Sequence, residues 1–364
     1  MTHHDERDLL IALSLLPFLT PNRTRLLCEH FVPLAALCAA PSSLIRALLR
    51  VTPQQAEIVR NPLTKPVREQ VAALHETVIR VADDAYPPML RASADPPLAL
   101  HFRGDPSLLQ RPALAIVGSR LASPYAINAA EHLTRQLAPT GLAIVSGFAR
   151  GVDTAAHHTA LDAGAATIAV LGTGIDVLYP QANRRLFQRI VAQGLVITEL
   201  HPGAPPKKEH FPIRNRIIAG LCLGAVIVEA TRRSGSLITA RMAAEQGREV
   251  FAVPGSIFSE GSEGTHRLVQ SGAKLVHDAD DILDELPDHV KTLLRPRVEP
   301  PSDPEPGSPL AEVLAQLTRE EGAHVDTVGA RLGRSPGTVA GALLELELSG
   351  WIRALPGARY VRVK

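Results

Sequence analysis

The chain has 364 residues, 45% of them hydrophobic and 21% charged, and its 38 lysines and arginines nearly balance its 37 aspartates and glutamates. This composition predicts a soluble globular protein of two or three domains, in which a nucleic-acid site could only be a local patch. Because there is no basic leader and no long apolar stretch, we expect a protein that is neither secreted nor membrane-spanning. Cys28, Cys38 and Cys222 lack metal-type or disulfide-type spacing, which favours a reducing cytoplasm.

The first 82 residues predict a helical module. Proline or a capping residue opens most of its short helices, which we place at residues 8–16, 21–31, 33–39, 42–49, 53–60 and 66–79. The paired helices around the turn at 16–20 resemble a SAM-like or helix-hairpin-helix module. A DNA-binding hairpin of that type needs a glycine in its turn, and this turn has none. Packing or protein contact is therefore favoured over DNA binding.

Residues 83–287 predict an α/β domain. Proline-fixed extended segments at 86–90 and 95–100 come first. Strands are predicted at 114–117, 142–145, 167–171, 195–198, 225–229 and 249–253. Helices follow them at 124–137, 153–162, 181–192, from 212, at 236–246 and at 265–271. Continuous β-branched runs that alternate with helices indicate an extended Rossmann-like fold, with a doubly wound, mostly parallel sheet.

In such sheets ligands bind beyond the carboxyl ends of the strands. The loops expected there combine glycines, hydroxyls and arginines, at 118–120, 146–153, 172–174, 231–236 and 254–255. Glycine permits close backbone approach, and helix starts favour anions. We therefore expect the functional site at this edge of the sheet.

The stretch 207–216 follows another predicted strand and concentrates four cations around Phe211. Pro212 predicts an extended Phe211 and a helix that begins at the proline. A helix start with nearby cations binds phosphate, and an uncovered ring stacks a base, which suits single-stranded nucleic acid. The alternative is a core ring at Phe211, with one of Arg214 and Arg216 in a structural ion pair.

Other chemistry has weaker support. The run Gly172-Thr173-Gly174 lacks the third glycine of a dinucleotide site, and no Walker A pattern occurs. His157 and His158 are adjacent and point apart on a helix, so no metal or cofactor is expected. Carboxylates at strand ends leave open a nucleotide or nucleoside-monophosphate hydrolase that uses Glu199 or Glu229; Asp153 and Asp176 are similarly placed. Such carboxylates more often cap helices or hold arginines.

Residues 288–309 predict a proline-rich linker, and residues 310–364 a winged-helix module. Its helices are expected at 310–318, 327–332 and 335–348, with a hairpin of 352–354 and 359–363. The would-be recognition helix carries Glu345 and Glu347 and no lysine or arginine. Because a helix that reads duplex DNA should be basic, protein contact is favoured, and a duplex-binding transcription regulator is the alternative.

Taken together, several motifs resemble the DNA processing protein A (DprA/Smf) family. The carrying runs within residues 86–273 are Gly118-Ser119-Arg120, Ser146-Gly-Phe-Ala-Arg-Gly-Val-Asp153, Ala156-His157, Phe211-Pro-Ile-Arg-Asn-Arg-Ile-Ile-Ala-Gly-Leu221, Glu229-Ala230, Ser234-Gly-Ser-Leu-Ile-Thr-Ala240 and Val253-Pro-Gly255. The resemblance implies a homodimer that binds single-stranded DNA without known turnover. It also implies loading of the RecA recombinase onto incoming strands during natural transformation.

The resemblance further implies that Arg120, Lys208 and Phe211 line the DNA pocket. We expect Arg120 and Lys208 to hold phosphates and Phe211 to stack a base. Support is expected from Ser119, Lys207, Arg214, Asn215, Ser234 and Gly235. The chain departs from the family pattern at His266, at Val269 and in the glycine-free turn near Leu19, all outside the predicted pocket.

Overall fold

The computed structural model describes residues 3–295, 304–319 and 321–363. Its N-terminal part is a helical bundle, as predicted, in which a 3-10 helix at Leu34–Ala39 separates the second and third helices. The α-helices are α1 (His3–Ser14), α2 (Pro21–His30), α3 (Ser42–Leu49), α4 (Pro53–Arg60) and α5 (Lys65–Leu74). Thr52 and Gln55 form a capping box at the start of α4. Leu9, Leu13 and Leu27 are fully buried in the bundle core.

The prediction of one helix over 66–79 was wrong. Helix α5 ends at Leu74, and strand β1 (Val78–Arg80) follows it. The proline-rich segments are also less extended than predicted, because a short helix α6 (Pro88–Arg91) precedes strand β2 (Ala99–Gly104). Strand β1 pairs antiparallel with β2, and β2 pairs antiparallel with a strand of the main sheet. Apolar residues at 78 and 79 fit either a helix end or a strand, and this distant pairing decides between them.

The α/β domain contains the predicted sheet. Its strands are β3 (Ala113–Val117), β4 (Ala143–Ser146), β5 (Thr167–Val170), β6 (Leu195–Thr198), β7 (Gly224–Ile227), β8 (Glu249–Ala252) and β9 (Lys274–Leu275). Its helices are α7 (Pro124–Leu137), α8 (Val152–Asp162), α9 (Arg184–Gln193), α10 (His210–Leu221), α11 (Ser236–Glu245), α12 (Glu263–Gln270), α13 (Asp280–Leu283) and α14 (Asp288–Lys291). Short 3-10 helices lie at Pro106–Gln110, Ala138–Thr140, Gln181–Asn183 and Glu260–Ser262.

The strand order is β1-β2-β6-β5-β4-β3-β7-β8-β9, and β3 to β9 run parallel to one another. Both faces of the sheet are buried. Ala115 and Val117 of β3 pack with α10 and α11, whereas Leu114 and Ile116 pack with α7 and α8. Two-sided burial explains why these strands read as continuous apolar runs.

The chain reverses its winding direction at β3. It proceeds through β4, β5 and β6 on one side and then returns to β7 on the other. The loops after β3 and β7 diverge from this switch point and leave a crevice beyond the strand ends, where ligands of such folds bind. The fold therefore brings the loops that the sequence singled out to this crevice.

The C-terminal module has the predicted winged-helix elements: α15 (Pro309–Ala315), β10 (Ala323–His324), α16 (Val325–Leu332), α17 (Pro336–Leu348), β11 (Ile352–Leu355) and β12 (Arg359–Arg362). Its three strands form a sheet of order β10-β12-β11. The predicted linker begins with α14, whose Val290 is buried against the α/β domain. The linker residues 296–303 lie outside the described residues.

Candidate nucleic-acid interface

An open cleft of about 1060 Å³ lies at the switch point, beyond the carboxyl ends of the parallel strands. The loops after β3, β4 and β7 line it, together with the first turns of α10 and α11. It brings together these eight of the nine predicted residues: Ser119, Arg120, Lys208, Phe211, Arg214, Asn215, Ser234 and Gly235. The ninth, Lys207, is exposed just outside the lining.

Phe211 is the aromatic centre of the cleft. Its half-buried ring has the Arg120 guanidinium carbon 5.0 Å from its centroid, and the Tyr179 ring centroid lies 5.7 Å away at an interplanar angle of 42°. A Cβ placed on Gly172 would come within 2.7 Å of the Phe211 ring, so only glycine admits the ring there. The loops after β3 and β5 thus position this ring.

The start of the helix that carries Phe211 differs from the prediction. Helix α10 begins at His210, so Phe211 is helical and not extended, and Pro212 is the third helical residue. The first turn of a helix has no intrahelical partner for its N–H groups, so a proline there removes no helical hydrogen bond. The consequence is that Phe211 projects from a rigid first turn. Lys208 lies in the turn just before it and is exposed.

Arg214 lies one turn further along α10 and is buried. Its Nη1 donates to the carbonyl of Gly147 at 2.6 Å and also to that of Val170. Burial lowers the pKa of Arg214 to about 10; Asp153 opposes this shift and Arg120 adds to it. Burial likewise raises the pKa of the Asp153 carboxyl, while Arg214 lowers it. Arg214 therefore ties the loop after β4 to the end of β5 at the cleft floor.

The loop after β4 adopts a strained path. Phe148 is buried with a φ of 58°, in the left-handed region, where a bulky residue costs about 1–3 kcal/mol. Asn183 Nδ2 donates to the Phe148 carbonyl at 3.2 Å and to Thr154 Oγ1 at 2.9 Å, which holds the loop in place. Gly151 has a φ of 75°, and a Cβ there would collide with the Ser119 carbonyl. The loops after β3 and β4 are thus packed directly against each other.

The opposite wall begins at α11. Asn215 Nδ2 donates to the Gly235 carbonyl at 3.3 Å, and Asn215 Oδ1 accepts from Arg214 Nε at 3.1 Å. Ser234 Oγ lies 2.8 Å from Ser236 Oγ and accepts from the Ser236 N–H at 3.4 Å. Gly235 has open space around its Cα. This wall presents backbone and hydroxyl groups to the cleft at a helix start, which favours an anion.

The two candidate catalytic glutamates have structural partners. Glu229 lies in the cleft wall, where its carboxylate accepts from Ser123 N at 3.2 Å and from Ser123 Oγ at the start of α7. Glu199 does not line the cleft and forms an ion pair with buried Arg216, which also donates to the Asp95 carbonyl at 2.5 Å. The prediction that one of Arg214 and Arg216 forms a structural ion pair is confirmed for Arg216.

Sequence reasoning missed Tyr179, which lies in the loop between β5 and α9. Its ring is 43% exposed and lines the cleft beside Phe211. The available signal was an aromatic residue in a strand-end loop of a chain with only 4% aromatics. Tyr179 contacts Phe211 of α10 ring to ring, across a distance of 32 residues in the sequence. Leu121, 91% exposed at the cleft edge, was missed as well.

A surface group outside the cleft has metal-ligand chemistry. Ligand atoms of His277, Asp278 and Asp281 lie within 4.8 Å of one another. His277 contacts both carboxylates directly, at 3.2 and 2.6 Å. Among the residues that the structure describes, no helix combines the length and apolar character needed to cross a bilayer.

The chain matches known protein families over most of its length. The sequence model of the family described as DNA recombination-mediator protein A matches residues 77–287, and that of the DprA winged helix domain matches residues 297–358. The Rossmann-like sheet and the winged helix are those of the DprA fold, and the homologues support a DNA processing protein. The chain belongs to the DNA recombination-mediator protein A family, whose members are also called DprA or Smf. The resemblance seen in the motifs is confirmed.

The relatives span most of the chain. DNA processing protein DprA of Streptococcus pneumoniae is 51% identical over 205 residues, which cover 56% of this chain and 72% of the relative. Protein Smf of Escherichia coli is 42% identical over 295 residues, 79% of this chain and 77% of the relative. The X-ray structure of the Streptococcus pneumoniae protein superposes with a TM-score of 0.63 and 42% identity, covering 69% of this chain and 88% of that one.

Proposed function

We propose that this protein binds single-stranded DNA in the switch-point cleft without catalysing a reaction. The observation that carries the proposal is the Phe211 ring, which a helix start presents to an open cleft with Arg120 at 5.0 Å. An aromatic platform combined with cations is typical of sequence-tolerant single-strand binding. A structure of the Helicobacter pylori family member, 31% identical with a TM-score of 0.52 over 60% of this chain and 96% of that one, is described by its single-stranded DNA binding mode.

Within this proposal each predicted residue has a role. Arg120 and Lys208 hold phosphates, and Phe211 stacks a base. The Ser234–Gly235 turn and the exposed Lys207 add backbone and charge contacts, and Ser119 shapes the loop that carries Arg120, since its Oγ accepts from Leu121 N at 3.2 Å. Arg214 and Asn215 position the two walls from below. We add Tyr179 as a second ring beside the stacked base.

The wider role that we propose follows the family. The protein, as a homodimer in the cytoplasm, would protect incoming single strands and load RecA onto them during natural transformation and recombination. Family membership supports this role. Sedimentation of the protein tests whether it is a dimer. RecA's DNA-dependent ATP hydrolysis on a protected single strand, measured with and without the protein, tests loading.

The two alternatives have specific observations against them. A hydrolase that uses Glu199 or Glu229 would need a free carboxylate, yet Arg216 and Ser123 engage these two. A duplex reader would need cations on α17, which instead exposes Leu344 and Leu348. The test is a fluorescence-anisotropy competition between an oligo-dT strand and a duplex, with nucleotide hydrolysis monitored in parallel. Single-strand preference without turnover is expected, and duplex preference or product release would overturn the proposal.

A further inference from the structure

The loop after β8, residues 253–259, presents an aromatic ring to solvent. Of the side chains that the structure describes, Phe258 is the most exposed aromatic one, at 93%, and its neighbour Ile257 is 81% exposed. Aromatic residues make up only 4% of the chain. Adjacent exposed apolar side chains with polar surroundings are typical of an interaction site. The function described so far uses neither side chain.

Hydrogen bonds fix the path of this loop. His266 Nε2 donates to the Gly255 carbonyl at 3.1 Å, so this departure from the family pattern holds the loop in place. Within the loop, the Phe258 N–H donates to Ser256 Oγ at 3.2 Å, and the Ser259 N–H donates to the Ser256 carbonyl at 3.1 Å. A ring on a fixed loop loses little conformational entropy when it binds a partner.

The loop forms part of the rim of the switch-point cleft. The three residues that follow Phe258 directly, Ser259, Glu260 and Gly261, all line the cleft. Because consecutive Cα atoms are only about 3.8 Å apart, the main chain of Phe258 lies at the rim. A Cβ placed on Gly261 would come within 3.0 Å of the Glu229 carboxyl carbon, so the rim packs closely against the cleft wall.

The same cleft connects this rim with the Phe211 ring. Arg120 lies beside Phe211, and the next residue, Leu121, also lines the cleft and is exposed. Ser123, two residues further on, donates to Glu229, the side chain against which the rim packs. The cleft volume of about 1060 Å³ exceeds the roughly 300–1,000 Å³ of a small-molecule pocket. It therefore has room for more than one nucleotide.

The charges in the cleft separate phosphates from bases. Arg120 lies beside the Phe211 ring, and Lys208 lies three residues before Phe211 in the chain. The lining near the loop after β8 instead contains the carboxylates of Glu229 and Glu260. Phosphates are attracted to the cations and repelled by the carboxylates. A strand whose phosphates contact the cations would therefore present uncharged bases to the loop after β8.

We propose that Phe258 stacks a second base of the single strand bound in the cleft, and that Leu121 is the apolar contact between the two stacked bases. The inference rests on the proposed function of the cleft. It adds a stacking position on the loop after β8 to the one that Phe211 and Tyr179 provide. Phe258 binds through the face of its ring, which is sequence-tolerant because every base has such a face.

The test measures oligo-dT affinity by fluorescence anisotropy across a salt series, with sedimentation of each variant in parallel. Phe258→Ala removes the ring, Phe258→Trp keeps a stacking surface, and Phe258→Leu keeps an apolar side chain without one. The matched control is Ile257→Ala, because Ile257 is exposed on the same loop and is aliphatic. Phe211→Ala is measured beside them.

We expect Phe258→Ala and Phe258→Leu to weaken binding by between about fivefold and about 150-fold, the usual range for one stacked base. The salt slope should stay unchanged, because no phosphate contact is lost. Phe258→Trp should restore the affinity, and Ile257→Ala should bind as the intact protein does. Sedimentation should be the same for all variants.

Three results would overturn the inference. Full affinity in Phe258→Ala would show that the ring contacts no base. Full affinity in Phe258→Leu, or an equal loss in Ile257→Ala, would show a general apolar contact without stacking. Changed sedimentation in Phe258→Ala would assign the ring to a contact between protein chains. Full affinity in Phe211→Ala would instead overturn the proposed function of the cleft.

Discussion

The guanidinium carbon of Arg120 lies 5.0 Å from the centroid of the Phe211 ring, although the two residues belong to loops after different strands. This pair fixes a cation beside the only ring that α10 contributes to the cleft. A cation close to a ring attracts it electrostatically and also restricts its rotation. The arrangement offers one base a stacking surface and offers the adjoining phosphate a charge.

Arg120→Lys should separate these two contributions. Lysine keeps the charge but loses the planar guanidinium beside Phe211, so we expect an unchanged salt slope and an affinity weaker by about 0.5–1 kcal/mol. Arg120→Ala should also flatten the slope by about 0.7. Anisotropy titration of oligo-dT at several salt concentrations measures both quantities. Arg241→Ala, a change of an exposed arginine on α11 outside the cleft lining, should alter neither.

Gly172→Ala should weaken DNA binding without a direct contact to DNA. The added methyl would come within 2.7 Å of the Phe211 ring and force the ring to move. We expect single-strand affinity to fall toward that of a protein without the ring, with a normal circular dichroism spectrum. Gly341→Ala is the control, because a Cβ there meets open space on α17 and should stabilise the helix by up to about 1 kcal/mol. Equal single-strand affinity for Gly172→Ala and the intact protein would contradict the packing argument.

The sequence predicted the sheet and the loops at its carboxyl edge because both depend on local patterns. Residues 114–117 read as a strand from an apolar run, the observed strand begins one residue earlier, and the glycine and hydroxyl loops mark the strand ends. Tyr179 was missed because its loop has no periodicity and its position depends on the distant α10. The start of α10 was misplaced because the residue before a proline prefers extended backbone, and this local preference was applied to Phe211 without regard to its surroundings. Strand β1 depends on pairing with β2, which lies some twenty residues away.

Glu199→Gln tests whether this carboxylate is structural. It pairs with Arg216, whose side chain is 7% exposed, and its removal leaves this buried cation with the Asp95 carboxylate, 3.5 Å away, as its remaining ion-pair partner. Complete loss of the partner of a buried charge costs about 3–5 kcal/mol; because Asp95 remains, we expect a smaller loss, which should still lower the urea midpoint clearly. Single-strand affinity of the remaining folded protein should be unchanged. Glu245→Gln, which breaks an exposed pair with Arg241, should cost no more than about 0.5 kcal/mol. A small loss of unfolding free energy in Glu199→Gln, together with lost single-strand binding, would mean that the carboxylate belongs to the DNA-binding site.

Stability should fall as the pH drops below about 6.5, and His157 is one cause. Burial lowers its pKa from 6.5 to about 3, and its Nδ1 lies 2.7 Å from Thr167 Oγ1. Between these pKa values the unfolded chain binds a proton that the folded chain does not. The contribution of His157 to the free energy of unfolding is therefore complete above pH 6.5. It is lost at about 1.4 kcal/mol per pH unit as the pH falls toward 3.

His101 acts in the same direction, since burial lowers its pKa to about 4. Urea unfolding at pH 7.5 and 5.5 should show the loss, and His157→Gln should reduce the difference between the two pH values by about 1.4 kcal/mol. A variant with the same pH dependence as the intact protein would show that His157 is protonated in the folded state.

The most direct test of the account is anisotropy titration of oligo-dT with the intact protein, Phe211→Ala and Lys208→Ala across a salt series. Phe211→Ala should lose about 1–3 kcal/mol of binding free energy, the usual effect of one stacked base. Lys208→Ala should flatten the salt slope by about 0.7. Phe211→Tyr, which keeps the ring, and Lys291→Ala, which removes a cation on α14, serve as controls. Full affinity and an unchanged slope in both test variants would contradict the account and leave the cleft without a role in DNA binding.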